Sequence, residues 1–99
     1  MIHAIYPGSF DPIHNGHLDI IERASNIFDQ VTVAVLHNSL KATGLFSIEE
    51  RLDIIASSLQ KWPNVSAEKF EGLLVNYAER IGAQVIIKGL RTTMDFENE

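Results

Sequence analysis

Apolar and polar positions along this chain alternate between two periods, one short and one helical. Residues Ile2 to Tyr6 form an apolar run that ends at Pro7-Gly8, which predicts a strand followed by a turn. From Asn15 the period changes: Leu18, Ile21, Ala24 or Ser25, and Phe28 recur at helical spacing. Asn15 is the expected N-cap of that helix, with Asp19 and Glu22 toward its positive end. Val31 to Leu36, "VTVAVL", is a β-branched run between turn residues, the mark of a strand covered on both faces. The polar loop "HNSLKATGLF" then leads to "SIEE" at Ser47 to Glu50. That is a capping box, in which the hydroxyl takes the N3 amide and Glu50 reaches back. Its helix carries Leu52, Ile55 and Leu59 and stops before Trp62-Pro63.

The second half repeats the alternation. Val65 to Phe70 predicts a weaker strand, residues 72–81 a short helix ending at Gly82, and Ala83 to Lys88 another buried strand broken by Gly89. Thr92 or Thr93 would cap one more helix, which has only the last residues of the chain to form in. The order βαβαβαβ argues for an α/β fold: a Rossmann-like parallel sheet with right-handed crossovers and helices on both faces. Residues 1–99 read as a single domain, incomplete at its C-terminal end.

Composition narrows the class. The chain has 99 residues, 45% of them apolar, enough for one modest core. It has no cysteine, so neither a disulfide nor a thiolate metal site is available, which fits a reducing, cytoplasmic setting. The longest apolar run, Val31 to Leu36, is far shorter than the ~20 residues of a membrane helix, and no signal segment is evident. The formal net charge of −5 argues against a general nucleic-acid binder. An anionic ligand would need the few cations focused in one cleft.

Ligands of open α/β sheets bind beyond the C-terminal ends of the strands. There the sequence puts Ser9, Phe10, Asp11, His14 and His17 after the first strand, His37, Asn38 and Lys41 after the second, and Lys88, Gly89 and Arg91 after the last. Three of the eight Lys and Arg residues thus fall on one rim. Gly8 permits a tight turn, and the first helix start offers amides to an anion. Each feature also has a plainer reading. Loop charges are commonly just solvated, and Gly8, Gly16 and Gly89 could serve turns alone. His14 and His17 could ligate a metal with Asp11, but the spacing is not a zincin pattern, no further ligand is evident, and no metal site is expected. The first loop is neither GxGxxG nor GxxxxGK[ST].

The stretch "YPGSFDPIHNGH" resembles the first motif of the nucleotidyltransferase superfamily, whose hallmark is HxGH, here His14-Asn15-Gly16-His17. "KGLRTTMDFENE", Lys88 to Glu99, resembles the second motif of the phosphopantetheine adenylyltransferase family, RGLRxxxDFExE. "LFSIEER" and "FEGLLVNYA" are also similar to that family at similar spacings, so the resemblance runs end to end. It implies transfer of an adenylyl group from ATP to 4′-phosphopantetheine, giving dephospho-CoA and pyrophosphate in coenzyme A synthesis, with Mg²⁺ accompanying ATP.

The same resemblance implies roles by position. His17 would donate to the α-phosphate and is the catalytic residue. His14 would support the nucleotide side. Ser9 and Phe10 would line the junction of the two substrates. Lys41 and Lys88 would hold the pantetheine phosphate, and Leu74 would contact the pantetheine arm. Gly89, Leu90, Arg91 and Glu99 would bind the nucleotide. The family also implies a homo-oligomer, typically a hexamer. Three departures stand out: Lys88 where Arg is usual, an apparent extra residue in the Lys41 loop, and Asn98 in place of an aromatic. Two other functions fit part of the pattern. One is another HxGH nucleotidyltransferase, against which "KGLRTTMDF" argues. The other is a truncated chain that binds nucleotide without catalysis.

Overall fold

The computed structural model describes residues 1–37 and 46–88. Its elements are β1 (His3–Gly8), α1 (Asn15–Ile27), β2 (Gln30–Leu36), α2 (Ile48–Ser58), β3 (Val65–Phe70), α3 (Leu74–Ile81) and β4 (Val85–Ile86). All strand pairs are parallel, in the order β3-β2-β1-β4. The α/β sheet expected from the alternation is therefore present. The predicted helix after Thr92 or Thr93 lies outside the described residues.

The strand order dictates where the helices go. From β1 to β3 the chain steps in one direction; β4 then returns to the other side of β1. Right-handed crossovers place helices on opposite faces when that direction reverses. Accordingly, Ile21 and Ala24 of α1 and Ile48 and Ile55 of α2 share a core with Tyr6, Val31, Val33 and Val35. Tyr77 and Ala78 of α3 pack with Ile5, Ala34 and Phe70 on the other face. The reversal makes the space above β1 and β4 the switch point at which such sheets bind ligands.

Strand β2 is buried from Val31 to Val35, as a strand covered on both faces should be. Its buried polar residue, Thr32, meets the His3 ring, with Oγ1 2.7 Å from Nε2. The Tyr77 hydroxyl donates to Glu68 Oε1 at 2.5 Å, and burial together with that carboxylate holds the phenol above its ordinary pKa.

Several boundaries differ from the sequence reading. Strand β1 continues through Pro7 and Gly8, which align with Ala34 and Val35. Strand β4 is two residues long rather than Ala83 to Lys88, and Ile86 is 42% exposed rather than buried. Proline explains where the strand ends. The β1–β4 ladder includes Gln84 N–H to His3 C=O and Ile87 N–H to Ile5 C=O. The next donor on that side of β1 would be Pro7, which has no N–H. The third helix begins at Leu74 rather than residue 72, because Gly72 takes a positive φ of 83° and keeps the chain out of the helix. In α1 the core position is Ala24; the Ser25 hydroxyl donates instead to the Glu22 carbonyl. Asp19 sits too far along for the first turn and pairs with Arg23 at 3.3 Å.

Candidate active site

The first loop leaves the C-terminal end of β1 at Gly8 and enters α1 through His14. His14, not Asn15, is the N-cap: its backbone is extended (φ −136°, ψ 179°), and its Nδ1 accepts the Gly16 amide at 3.1 Å. His17, at N3, returns the contact, its Nδ1 accepting the His14 amide at 3.1 Å. The pair forms a capping box built from imidazoles. Two of the amides expected to face an anion are thus used internally.

This geometry fixes more than the helix start. A ring nitrogen that accepts a hydrogen bond carries no proton, so each neutral imidazole bears its proton on Nε2. The two rings stack, with centroids 3.8 Å apart and planes 24° from parallel. On the other side, the Phe10 ring meets His17 edge-on at 4.8 Å, and Tyr6 meets Phe10 at 5.3 Å. His17 is therefore held by a backbone amide, a stacked imidazole and a buried phenyl ring.

Phe10 is bound to that position from several directions. It is buried, yet its φ is +47°, in the left-handed region that a bulky side chain rarely adopts. Such backbone costs on the order of 1–3 kcal/mol and persists only where the surroundings impose it. Gly8 is one condition: a Cβ there would lie 3.1 Å from two atoms of the Phe10 ring. Arg51, from the first turn of α2, is another. Its Nη1 donates to the Ser9 carbonyl at 3.3 Å, its Nε to the Phe46 carbonyl at 3.0 Å, and Nε lies 3.7 Å from Asp11 Oδ1. The same Asp11 oxygen accepts the Phe46 amide at 3.0 Å. The side chains of Arg51 and Asp11 are only 14% and 16% exposed.

His17 brings Phe10 and His14 together, since its ring contacts both, and Ser9 follows β1 beside them as an exposed residue. Lys88 stands exposed at the end of β4 on the same rim. Leu74 opens α3 on the opposite face of the sheet and packs into that core. Lys41, Gly89, Leu90, Arg91 and Glu99 lie outside the described residues. Among the described residues, no three His, Asp or Glu side chains are grouped to hold a metal ion.

Sequence reasoning misses Arg51, and it places Asp11 on the ligand-binding rim and as a candidate metal ligand rather than as a partner of Arg51. A signal for Arg51 was present: a cation in the first turn of a helix opposes the helix dipole, so another partner must hold it there.

The chain matches the cytidylyltransferase-like family over residues 5–99. It is 58% identical over 96 residues to a phosphopantetheine adenylyltransferase from Syntrophotalea carbinolica, covering 97% of this chain and 57% of that protein. Proteins of the same name from Desulforudis audaxviator and Dictyoglomus turgidum are 59% and 54% identical, over 97% and 100% of this chain. The chain spans 57–61% of the length of these relatives. Two solved structures share the fold. A lipopolysaccharide core biosynthesis protein from Thermoplasma volcanium superposes with a TM-score of 0.69 at 20% identity, covering 99% of this chain and 82% of that one. A bifunctional NMN adenylyltransferase/ADP ribose pyrophosphatase from Francisella tularensis gives 0.64 at 18% identity, covering 93% and 38%. With the HxGH stretch seated at the switch point of the sheet and the match running through nearly every residue, this chain belongs to the cytidylyltransferase-like family.

Proposed function

We propose that this chain carries the N-terminal part of the catalytic domain of an enzyme that transfers an adenylyl group from ATP to 4′-phosphopantetheine. A phosphate oxygen of the acceptor attacks the α-phosphorus of ATP. The bond from that phosphorus to the bridging oxygen breaks, and pyrophosphate leaves with the electron pair. The products are dephospho-CoA and pyrophosphate, and the protein forms no covalent intermediate. Its contribution is to position two anions and stabilise charge as it builds on the α-phosphate.

The observation that carries this reading is the reciprocal imidazole cap at the start of α1. It commits His17 Nδ1 to the His14 amide and so places the proton on Nε2. An N–H donor of fixed direction at a helix N-terminus suits an α-phosphate oxygen. His14 holds that ring by stacking, which makes it a supporting residue on the nucleotide side. Ser9 and Phe10 line the junction of the substrates, Leu74 contacts the pantetheine arm, and Lys41 and Lys88 hold the acceptor phosphate. Gly89, Leu90, Arg91 and Glu99 serve the nucleotide. Mg²⁺ would accompany ATP, held chiefly by its phosphate oxygens and water. The names of the relatives support the acceptor. We further assign the protein to the cytoplasm as a homo-oligomer, with neither nucleic acid nor membrane as partner. Among the described residues, no helix is long and apolar enough to cross a membrane.

The test supplies full-length protein with Mg²⁺, ATP and 4′-phosphopantetheine and follows dephospho-CoA by mass alongside pyrophosphate release. Stoichiometric appearance of both is the expected result. Pyrophosphate release with nicotinate mononucleotide, or from CTP, and none with 4′-phosphopantetheine, would overturn the assignment.

A further inference from the structure

The two residues on either side of Phe10 are held by one guanidinium. Arg51 Nη1 donates to the Ser9 carbonyl, and Arg51 Nε pairs with Asp11 Oδ1. A closed set of contacts anchors the guanidinium in turn: Phe46 N–H to Asp11, Asp11 to Arg51, and Arg51 to the Phe46 carbonyl. Between the two gripped residues lies the left-handed backbone of Phe10, whose ring meets His17 edge-on at 4.8 Å.

We propose that Arg51 is a positioning residue for His17, acting through the Ser9–Phe10–Asp11 segment. Its position gives the first argument. In the first turn of α2, beside Glu49 and Glu50, a cation gains nothing from the helix dipole. Its side chain is turned instead onto the first loop and largely buried there. The second argument is geometric. A planar fork can serve a carbonyl on one side and a carboxylate on another at once, which a lysine ammonium does not reproduce. The third concerns the loop itself. Without a grip on both flanks, Phe10 relaxes to an ordinary φ, its ring withdraws from His17, and the imidazole loses one of its supports. Helix α2 thereby sets the geometry at the start of α1, although no residue of α2 is placed against the reacting atoms.

The kinetic part of this inference rests on the proposed adenylyl transfer; the spectroscopic part does not. The test uses Arg51→Lys and Asp11→Asn in full-length protein. Nitrogen–proton correlation spectra of the histidine rings are recorded without substrate, and kcat and KM for ATP are measured separately. For Arg51→Lys, the His17 ring signals should move or broaden while those of His3, on the far end of β1, stay fixed. Turnover should fall roughly 10²-fold through misplacement alone, with KM for ATP changing less than about threefold. Asp11→Asn keeps an oxygen for the Phe46 amide and should shift the same signals less. Unchanged His17 signals in both variants would overturn the inference, even if the proteins melt at lower temperature. Displaced His17 signals with undiminished turnover would overturn it too. If the parent protein transfers no adenylyl group, the functional reading fails on its own, and the His17 signals still decide the role of Arg51.

Discussion

Helices α1 and α2 begin with the same device made from different chemistry. At α2, Ser47 Oγ accepts the Glu50 amide at 3.2 Å, and Glu50 Oε1 accepts the Ser47 amide at 2.8 Å. At α1, His14 and His17 make the corresponding exchange through their Nδ1 atoms. Ser and Glu suit a capping box because they are small, flexible and, in the case of Glu50, charged to complement the helix dipole. Imidazoles close the same box with two large rings that must also stack and pack. A helix start capped by serine and glutamate is explained by stability alone. One capped by two histidines at the switch point of the sheet is not, and the surplus is a pair of rings of fixed tautomer and fixed pose.

The comparison breaks most sharply if the histidine box is replaced by the serine–glutamate one. The double variant His14→Ser, His17→Glu should fold at least as well as the parent and lose transfer activity. His17→Ala alone should lower kcat by ~10²–10³ with little change in KM, the usual cost of removing one transition-state donor. Its loss of helix capping is worth only about 1 kcal/mol. Denaturant titration and steady-state kinetics on the same samples separate the two effects. A double variant that stays active would reduce the histidines to caps and remove the mechanism.

The converse variant sharpens the contrast. Ser47→Ala should cost about 1 kcal/mol of stability, as the loss of an N-cap side chain does. The Glu50 carboxylate can still reach the Ser47 amide, and the loop contacts of Arg51 involve no Ser47 side-chain atom. Turnover by the folded fraction should therefore match the parent, measured below the unfolding transition. A large loss of activity would mean that the two helix starts are not separable in function.

The two starts also differed in how far the sequence revealed them. "SIEE" announced its cap because hydroxyl and carboxylate at that spacing have one common use. "HNGH" drew attention to its histidines as ligands or donors, while Asn15 was the better N-cap by propensity. The histidine rings won because each reaches a backbone amide through Nδ1 and stacks on the other, a tertiary gain that propensity does not count. The sheet and its parallel sense were legible because strand and helix periods alternate along the chain, and such alternation leaves a parallel sheet with crossover helices as the consistent arrangement. The length of β4 was not, since it is limited by Pro7 on a different strand, 78 positions before Val85. The partners of Arg51 were hidden for a similar reason: Ser9 and Asp11 lie 42 and 40 positions away, and no local pattern points to them.

The smallest expected effect concerns protons at the α2 cap. The Ser47 amide, and after it the Ser47 hydroxyl, hold the Glu50 carboxyl below its ordinary pKa. The unfolded chain therefore binds a proton at Glu50 before the folded one does, as pH falls through the ordinary carboxylate value of about 4.3. Above that value the cap contributes its full stabilisation; as pH falls through the lower, folded value the contribution is lost. Glu50→Gln keeps an oxygen for the Ser47 amide but has no proton to take up. The parent should be slightly more stable than Glu50→Gln at neutral pH, and the gap should close on acidification, read as the difference in urea midpoints at several pH values. Because Glu50 is fully exposed, solvent screens the interaction and keeps the gap small. A gap that widened toward acid would mean that the carboxyl is stabilised in its protonated form, and that the α2 box does not use Glu50 as an anion.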